Sequence, residues 1–282
     1  MTKILNLQYL DKSDIKYDVI SFPDGEKQLN ILDNLCNFKD DVDILTRITN
    51  GDDLFILLQA QDILDRNCIS YVTNIKYLMT QRSDRLFSYN RPCSLKIMLS
   101  HIKGTISVLE PHNFIAMCNF TDYRVERDLC YNRHNTIGSL IPEASGNYAF
   151  FPDNGAKKRY SAYLPSSNYF VGMKVRDVDT GKITDYKVVW PFGNEVEKIG
   201  EDVKSITIID DLCDGGSTFI SAYNELKRLG HPNLKINLDV VHAVQEAGLR
   251  RVCEVFDNVT VTNSYADWDK LGIPNLIVKN VW

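Results

Sequence analysis

The densest group of chemically useful side chains lies in residues 210–218, which read DDLCDGGST. Glycines and hydroxyls at the start of a helix favour a bound phosphate, because exposed backbone N–H groups and the helix dipole both attract an anion. The adjacent carboxylates of Asp210 and Asp211 suit sugar hydroxyls, or a hard cation that bridges to phosphate. The alternative is a helix-capping loop with solvated acids. The residues predicted to bind a sugar phosphate are Asp210, Asp211, Asp214, Gly215, Gly216, Ser217 and Thr218.

The segments around this loop predict a strand before it and a helix after it. Residues 205–209 are apolar and β-branched, and apolar side chains recur at helical spacing from Phe219 to Leu229. Similar patterns predict helices at 53–64 and 95–102, and strands at 69–78, 106–109, 149–151, 169–175, 206–209, 236–241 and 259–262. This alternation predicts an α/β fold with parallel sheets, in which ligands bind beyond the carboxyl ends of the strands.

Composition narrows the class of protein. The chain has 282 residues, of which 44% are hydrophobic and 24% charged, with a net charge of -5. The negative charge argues against a nucleic-acid partner. No apolar run approaches the roughly 20 residues needed to cross a bilayer. Seven cysteines without a CxxC pair, and a charged start unlike a secretory leader, predict reduced thiols and a cytoplasmic location.

Residues 141–147, IPEASGN, are rich in turn formers and mark a candidate domain boundary. The boundary would divide the chain into domains 1–140 and 141–282, each with its own series of strands and helices.

Several segments together resemble the ribose-phosphate pyrophosphokinase family, also called phosphoribosyl pyrophosphate (PRPP) synthetases. They occur in the order found in that family and cover nearly the whole chain. The segments are SFPDGEKQLNI (21–31), QRSDR (81–85), VLEPHNF (108–114), FFPDNGAKKR (150–159), VGMKVRD (171–177), IIDDLCDGGSTF (208–219), VHAVQEAGLRRV (241–252) and FDNVTVTNSY (256–265).

The resemblance implies two tandem phosphoribosyltransferase-like domains, each a mainly parallel sheet flanked by helices. The first would carry the ATP-binding elements, and the second the sugar-phosphate loop and a catalytic hairpin. The implied reaction transfers the β,γ-diphosphate of ATP to the 1-hydroxyl of ribose 5-phosphate, which gives PRPP and AMP. Lys174 and Arg176 would be the catalytic residues, in a hairpin that closes over the reacting phosphates.

The remaining implied roles concern ATP, its cation and a second subunit. His112 and Asp153 would bind the Mg²⁺ of Mg-ATP, although a histidine is an unusual ligand for so hard a cation. The implied ATP-binding residues are Phe22, Asp24, Glu26, Arg82, Ser83, Asp84, Arg85 and His112. The first three would come from a neighbouring subunit, which predicts a homo-oligomer, at least a dimer and up to a hexamer, with its active site at a subunit interface. The same stretch, FPDGE, also has strong turn chemistry, and the basic run Lys157 to Arg159 is interpreted as solvated surface charge.

Three segments depart from the family pattern. Glycine replaces a phosphate-loop threonine at 215 and serine replaces a glycine at 217; Ser83 stands for a glutamine, and Pro111 precedes His112. Gly215 leaves room for a sugar with a larger 5-substituent, such as ADP-ribose.

These departures leave other functions open. The same chemistry on ADP-ribose would give ADP-ribose 1-diphosphate for NAD salvage. A non-catalytic regulatory relative of a PRPP synthetase, and a phosphoribosyltransferase that consumes PRPP, are the remaining alternatives.

Overall fold

The computed structural model of the protein describes residues 2–36, 38–121, 124–128, 146–164, 168–176 and 183–282. The strands are β1 Thr2–Asn6, β2 Tyr17–Ser21, β3 Lys27–Ile31, β4 Asp41–Ile48, β5 Tyr71–Leu78, β6 Thr105–Leu109, β7 Val125–Asp128, β8 Asn147–Phe151, β9 Tyr169–Arg176, β10 Ile183–Val189, β11 Ser205–Cys213, β12 Lys235–Ala243, β13 Val259–Thr262 and β14 Leu276–Lys279. The α-helices are α1 Gly51–Arg66, α2 Ser94–Leu99, α3 Phe114–Phe120, α4 Asn154–Tyr160, α5 Ser217–Leu229 and α6 Glu246–Cys253.

The chain divides into two compact units, residues 1–129 together with residue 282, and residues 130–281. The predicted boundary between residues 140 and 141 lies outside the described residues. No helix in the described part of the chain is long and apolar enough to cross a bilayer.

The N-terminal unit is built on a five-stranded sheet in the order β1-β4-β5-β6-β7, in which every neighbouring pair is parallel. Along β4, side chains at alternate positions are buried, as the two-residue period of a strand requires. Leu5, Ile44, Leu57 and Ile106 are fully buried in one core cluster that joins this sheet to α1. The parallel order brings the carboxyl ends of these strands to one edge of the sheet.

A separate antiparallel hairpin, β2–β3, contacts α1 through the side chain of Gln59 and through a salt bridge between Lys27 and Asp52 at 2.9 Å. The Oε1 atom of Gln59 accepts a hydrogen bond from the Leu29 N–H at 2.8 Å, and its Nε2 donates to the Lys27 carbonyl at 2.8 Å. Gln59 thus takes the place of a neighbouring strand for the edge of β3.

The C-terminal unit contains a seven-stranded sheet in the order β10-β9-β8-β11-β12-β13-β14. Only the β10–β9 pair is antiparallel in this sheet as described; the other neighbours are parallel. The core cluster includes Phe150, Ile208, Phe219 and Leu238, which join the centre of the sheet to α5. These two sheets confirm the predicted α/β class with mainly parallel strands flanked by helices.

One boundary that matters for the site differs from the prediction. Strand β11 extends to Cys213, so Asp210 and Asp211 lie within the strand and not after it. Asp210 faces Val240 of β12 in the ladder. Adjacent strand residues point to opposite faces, but the two carboxylates still share a partner, as described next.

Candidate active site

Asp210 and Asp211 are held by one arginine. The Nη2 atom of Arg159 donates to Asp210 Oδ1 at 2.6 Å and to Asp211 Oδ1 at 2.7 Å. The side chains of Arg159, Asp210 and Asp211 are only 15%, 13% and 3% exposed, respectively. The three charges therefore form a buried cluster in which two carboxylates share one guanidinium.

The structure corrects the interpretation of Arg159 as a solvated surface charge. Arg159 lies in the last turn of α4, and the helix turns it toward β11 while its neighbour Lys158 remains exposed. The buried Nε of Arg159 has no hydrogen-bond partner among the described residues. The sequence offered one signal, a spacing of six residues between Asp153 and Arg159, which is too weak to separate a buried arginine from an exposed one.

The cluster changes the acidity of its members. Burial raises the pKa of Asp210 well above its ordinary value, and the neighbouring charge of Asp211 raises it further, while Arg159 acts in the opposite direction. Burial lowers the pKa of Arg159, but the charges of Asp211 and Asp210 outweigh it, so the net shift is upward. Two buried carboxylates share one guanidinium, so Arg159 only partly offsets the effects that raise the pKa of Asp210.

Asp153, one of the predicted metal ligands, begins helix α4. Its Oδ1 accepts hydrogen bonds from the backbone N–H groups of Gly155 and Ala156 at 2.9 and 3.0 Å, which is an N-cap geometry. Asp153, a predicted metal ligand, and Arg159, which was predicted to be solvated, thus lie at opposite ends of one short helix. This helix connects the aspartate to the acidic pair on β11.

A tyrosine of the hairpin supports the segment before Asp153. The hydroxyl of Tyr186 on β10 donates to the Pro152 carbonyl at 2.8 Å. Its ring crosses strand β9 above Gly172, where a Cβ atom would collide with the tyrosine hydroxyl. Gly172 is therefore required by the close approach of Tyr186. No sequence motif indicates this contact.

Strands β9 and β10 form the predicted hairpin. The backbones of Lys174 and Arg176 lie on β9 and pair with Tyr186 and Ile183 of β10. The side chains of both predicted catalytic residues, and the tip at 177–182, lie outside what the structure describes.

The predicted phosphate loop follows β11 and leads into α5, which begins at Ser217. Gly216 has a φ of +79°, and a Cβ atom there would lie 2.7 Å from Val252 Cγ1 of α6. Gly248 of α6 is equally constrained, because its Cβ atom would overlap the Asp214 carbonyl. Helix α6 thus packs against the loop through glycine and fixes its shape. Asp214 and Ser217 are exposed, and Thr218 is half-buried.

In the N-terminal unit, Asp84 is the buried acid of the predicted ATP segment. Its side chain is 1% exposed, and it receives hydrogen bonds from Arg85 Nε at 2.8 Å, Arg85 Nη2 at 3.1 Å and Asn113 Nδ2 at 2.5 Å. Burial raises the pKa of Asp84, but hydrogen bonds from Arg85 and Asn113 outweigh burial and lower the pKa overall. Asn113 also caps α3 through its Oδ1. Sequence reasoning missed Asn113.

His112 is attached to the same segment through Gln81. The backbone N–H of His112 donates to Gln81 Oε1 at 3.0 Å, whereas the buried Gln81 Nε2 has no hydrogen-bond partner within the described ranges. Thr80 and Glu110 have φ values of +65° and +38°. Such φ values strain the backbone of any residue other than glycine, and they cluster at functional sites.

The hydrogen bonds of Gln81 and Asn113 bring His112, Asp84 and Arg85 together in one segment.

Arg82 and Ser83 complete this segment. Arg82 is exposed, while Ser83 is half-buried and its carbonyl accepts a hydrogen bond from Leu95 N–H at 3.2 Å. The segment is thus anchored to α2 through backbone, and Arg82 lies on its open side.

The remaining predicted ATP residues lie in the turn of the β2–β3 hairpin. Phe22 is 40% exposed, and Asp24 and Glu26 are also exposed. Asp24 Oδ1 accepts from the Glu26 N–H at 3.1 Å, and Gly25 has a φ of +94°. The turn interpretation of FPDGE is confirmed, and its side chains face solvent in the single chain.

The fold has a known counterpart. The structure of phosphoribosylpyrophosphate synthetase from Mycobacterium smegmatis superposes with a TM-score of 0.77, at 18% identity, over 99% of this chain and 94% of that chain. This likeness establishes the fold, an α/β architecture shared with a PRPP synthetase.

Sequence comparison gives more specific relatives. The chain is 22% identical over 260 residues to the ribose-phosphate pyrophosphokinase of Thermococcus kodakarensis, covering 89% of this chain and 86% of the relative. It is 25% identical to the enzymes of the same name from Pyrococcus furiosus, over 88% of this chain and 85% of the relative, and Pyrococcus abyssi, over 94% and 90%. No protein-family model matches the chain. These relatives support the resemblance to ribose-phosphate pyrophosphokinases, and their shared name confirms the expectation of an enzyme of the diphosphotransferase type.

Proposed function

We propose that the protein transfers the β,γ-diphosphate of ATP to the 1-hydroxyl of ribose 5-phosphate, forming PRPP and AMP. The observation that carries this proposal is the buried pair Asp210–Asp211, clamped by Arg159 at the end of β11 directly before a glycine loop. Carboxylates accept hydrogen bonds from sugar hydroxyls, and the loop with the start of α5 suits the 5-phosphate. The names and coverage of the relatives support the same reaction.

In the proposed reaction, the oxygen of the sugar 1-hydroxyl bonds to the β-phosphorus of ATP. The bond between that phosphorus and the oxygen it shares with the α-phosphate breaks, and AMP leaves with the electron pair while the hydroxyl loses its proton. Negative charge develops on the transferred group, and catalysis of such a step depends on positioning and on positive charge. Lys174 and Arg176 are the proposed sources of that charge.

The N-terminal unit supplies the proposed ATP site. Asp84 is fixed by Arg85 and Asn113, which supports a rigid platform beside the exposed Arg82, whose guanidinium suits stacking on adenine or pairing with phosphate. Ser83 and His112 belong to the same proposed set.

Mg²⁺ is the proposed cofactor, with Asp153 and His112 as its protein ligands. The described residues include no cluster of three or more His, Cys, Asp or Glu side chains arranged to hold a metal. Mg²⁺ is usually bound by one or two carboxylates together with substrate phosphates, and the Asp153 carboxylate fits that chemistry. The cation would neutralise charge on the triphosphate.

A second subunit would complete the ATP site. Phe22, Asp24 and Glu26 are exposed at the tip of a hairpin that is fixed to α1 by Gln59. An exposed aromatic side chain on a rigid tip supports contact with another copy of the chain, and we propose a homo-oligomer of two to six subunits. Size-exclusion chromatography with light scattering tests this proposal.

ADP-ribose is the second candidate acceptor, with ADP-ribose 1-diphosphate as the product. The specific observation in its favour is that Gly215 has no left-handed φ, and that a Cβ atom there would meet, among the described residues, only Gln245 Oε1 at 3.8 Å. The fold therefore does not require glycine at 215, and the space beside it is available to a larger 5-substituent.

The test is AMP release from Mg-ATP with ribose 5-phosphate and, in parallel, with ADP-ribose. We expect sugar-dependent AMP release by the wild-type protein and its loss in Lys174→Ala. If Lys174→Ala retains full activity, or if the wild-type protein releases no AMP with either sugar, the proposed enzyme function is wrong and a regulatory relative becomes the better interpretation. Pyrophosphate release from PRPP with a base acceptor would instead indicate a phosphoribosyltransferase.

A further inference from the structure

Three glycines lie in the proposed phosphate loop or pack against it, and the fold requires only two of them to be glycine. Gly216 combines a left-handed φ with contact to Val252, and Gly248 packs against the Asp214 carbonyl. Gly215 has neither constraint, since its nearest described neighbour would lie at an ordinary van der Waals distance of 3.8 Å. A side chain at 215 would fit, so its absence calls for a reason other than packing.

The space beside Gly215 is bordered by polar groups of helix α6. Gln245, the residue before the helix, is exposed and presents its Oε1 toward position 215. Arg251 donates from Nη1 to the Gly215 carbonyl at 3.1 Å. A guanidinium and an amide therefore lie beside the loop position that lacks a side chain.

Arg251 differs from the neighbouring arginine in its partners. Arg250 is paired with Glu246 at 2.8 Å. Arg251 is also exposed, but within the described part of the chain it makes no ion pair, and its hydrogen bond is to a neutral carbonyl. Arginine carries five N–H donors in a planar fork that matches phosphate oxygens. A cation without an acidic partner at the edge of a phosphate loop is suited to an anion supplied by the ligand.

We propose that Gly215 and Arg251, with Gln245 at the border of the space, form a subsite for a second anionic group joined to the sugar through its 5-phosphate. The chemical class of ligand is a sugar 5-diphosphate ester, of which ADP-ribose is an example. The first phosphate lies on the loop, the chain of the ester passes over Gly215, and Arg251 pairs with the second phosphate. This inference rests on the proposed sugar-phosphate site, favours ADP-ribose, the second candidate acceptor, over ribose 5-phosphate, and makes Arg251 a specificity-determining residue.

The test separates binding from turnover. Titration calorimetry without ATP measures the affinities of ADP-ribose and ribose 5-phosphate for the full-length wild-type protein and for Arg251→Gln, Gly215→Thr and Arg250→Gln. We expect the wild-type protein to prefer ADP-ribose, and the ratio of the two affinities to fall about tenfold or more in Arg251→Gln and Gly215→Thr. Arg250→Gln, the matched control on the same helix, should leave the ratio unchanged. Thermal melting of each variant excludes misfolding as the cause.

The outcomes distinguish this inference from the proposed reaction. AMP release with ribose 5-phosphate, together with no binding preference for ADP-ribose or an equal ratio in Arg251→Gln, overturns the subsite and leaves the diphosphokinase intact. A preference lost in Arg251→Gln, with no AMP released from any sugar, supports the subsite and overturns the reaction. An equal loss of preference in Arg250→Gln also overturns the role of Arg251, because a general change of charge would then explain it.

Discussion

Each of the two units contains a buried aspartate, and the pKa values of these two aspartates are shifted in opposite directions. In the N-terminal unit, one carboxylate, Asp84, receives hydrogen bonds from Arg85 and Asn113, and its pKa is lowered. In the C-terminal unit, two carboxylates share Arg159, and the pKa of Asp210 is raised. Burial raises the pKa of both acids: at Asp210 it prevails and the charge of Asp211 adds to it, whereas at Asp84 the hydrogen bonds from Arg85 and Asn113 outweigh it.

The difference corresponds to what each site is proposed to do. Asp84 is satisfied by protein donors and acts as a fixed support for ATP-binding side chains. The Asp210–Asp211 pair is under-compensated in the isolated chain, so donors from a sugar or positive charge from a cation would relieve it. The Asp84 cluster therefore contributes to stability, whereas the Asp210–Asp211 pair can still accept hydrogen bonds or bind a cation from a ligand.

The largest effect should follow removal of Arg159. Arg159→Leu leaves two buried carboxylates without their cation, and breaking a buried pair in this way costs about 3–5 kcal/mol in the free energy of unfolding. Urea unfolding at neutral pH measures the loss, and the exposed neighbour Lys158→Ala should stay within about 0.5 kcal/mol of wild type.

A double variant tests whether Arg159 stabilises the protein by neutralising the two carboxylates. Adding Asp210→Asn to Arg159→Leu should recover part of the loss, because only one buried charge then remains. If the two substitutions are simply additive, Arg159 does not act by neutralising the pair.

The second prediction concerns pH. Because the folded-state pKa of Asp210 lies above its unfolded value, the folded protein binds more protons between the two values. Wild-type stability therefore falls as pH rises from about 4, the unfolded pKa, through the folded pKa. Asp210→Asn lacks this titration, so its stability relative to wild type should increase with pH, by at most about 1.4 kcal/mol per pH unit.

Urea unfolding from pH 4 to pH 8 measures this slope. The exposed Asp269→Asn serves as the matched carboxylate control. A difference between Asp210→Asn and wild type that is constant across the range would contradict the raised pKa.

The third prediction concerns Asp84 in the N-terminal unit, where the pH dependence of stability has the opposite sign. Asp84 contributes stability above its unfolded pKa that is lost as pH falls through its lowered folded pKa. Asn113→Ala removes one donor to Asp84 and the N-cap of α3, and should cost about 1–2 kcal/mol.

Asn113→Asp separates the two roles of this residue. Aspartate keeps the N-cap but replaces the donor to Asp84 with a second carboxylate, which reproduces the crowding found at Asp210–Asp211. We expect the pKa of Asp84 to rise and the stability of this variant to increase on mild acidification. An unchanged pH profile would show that Asn113 acts only as a cap.

The smallest effect should come from Tyr186→Phe. Loss of the hydrogen bond to the Pro152 carbonyl should cost about 0.5–1.5 kcal/mol. If Tyr186 positions the segment that carries Asp153, the Mg²⁺ concentration needed for half-maximal activity should rise in Tyr186→Phe. Tyr223→Phe, on α5, is the matched control, and an equal Mg²⁺ dependence in both variants would limit Tyr186 to a structural role.

The sequence predicted the elements that have strong local patterns. The helix over 53–64 and the strands after it were found because their apolar residues keep one period. Strand β4 was missed although its polar and apolar residues alternate as a strand pattern predicts. Strand β11 was predicted too short because two aspartates interrupt an apolar run that the ladder continues.

Within the site, the sequence analysis identified the residues of short motifs more readily than the residues that hold those motifs in place. Asp210, Asp211 and the glycine loop stand together, as their adjacency in sequence required. Arg159, Asn113 and Tyr186 were missed because each acts through a contact with a residue distant in sequence, 51 positions away for Arg159 and Asp210. No periodicity or local motif encodes such contacts.

The most direct test of the proposed chemistry follows the label of [γ-³²P]ATP into sugar products with Mg²⁺ and ribose 5-phosphate or ADP-ribose. Transfer of an intact diphosphate requires one AMP for each labelled sugar 1-diphosphate, with no ADP and no free phosphate. Formation of ADP with a labelled sugar monophosphate would show transfer of the γ-phosphate alone, and the assignment as a diphosphokinase would then be wrong.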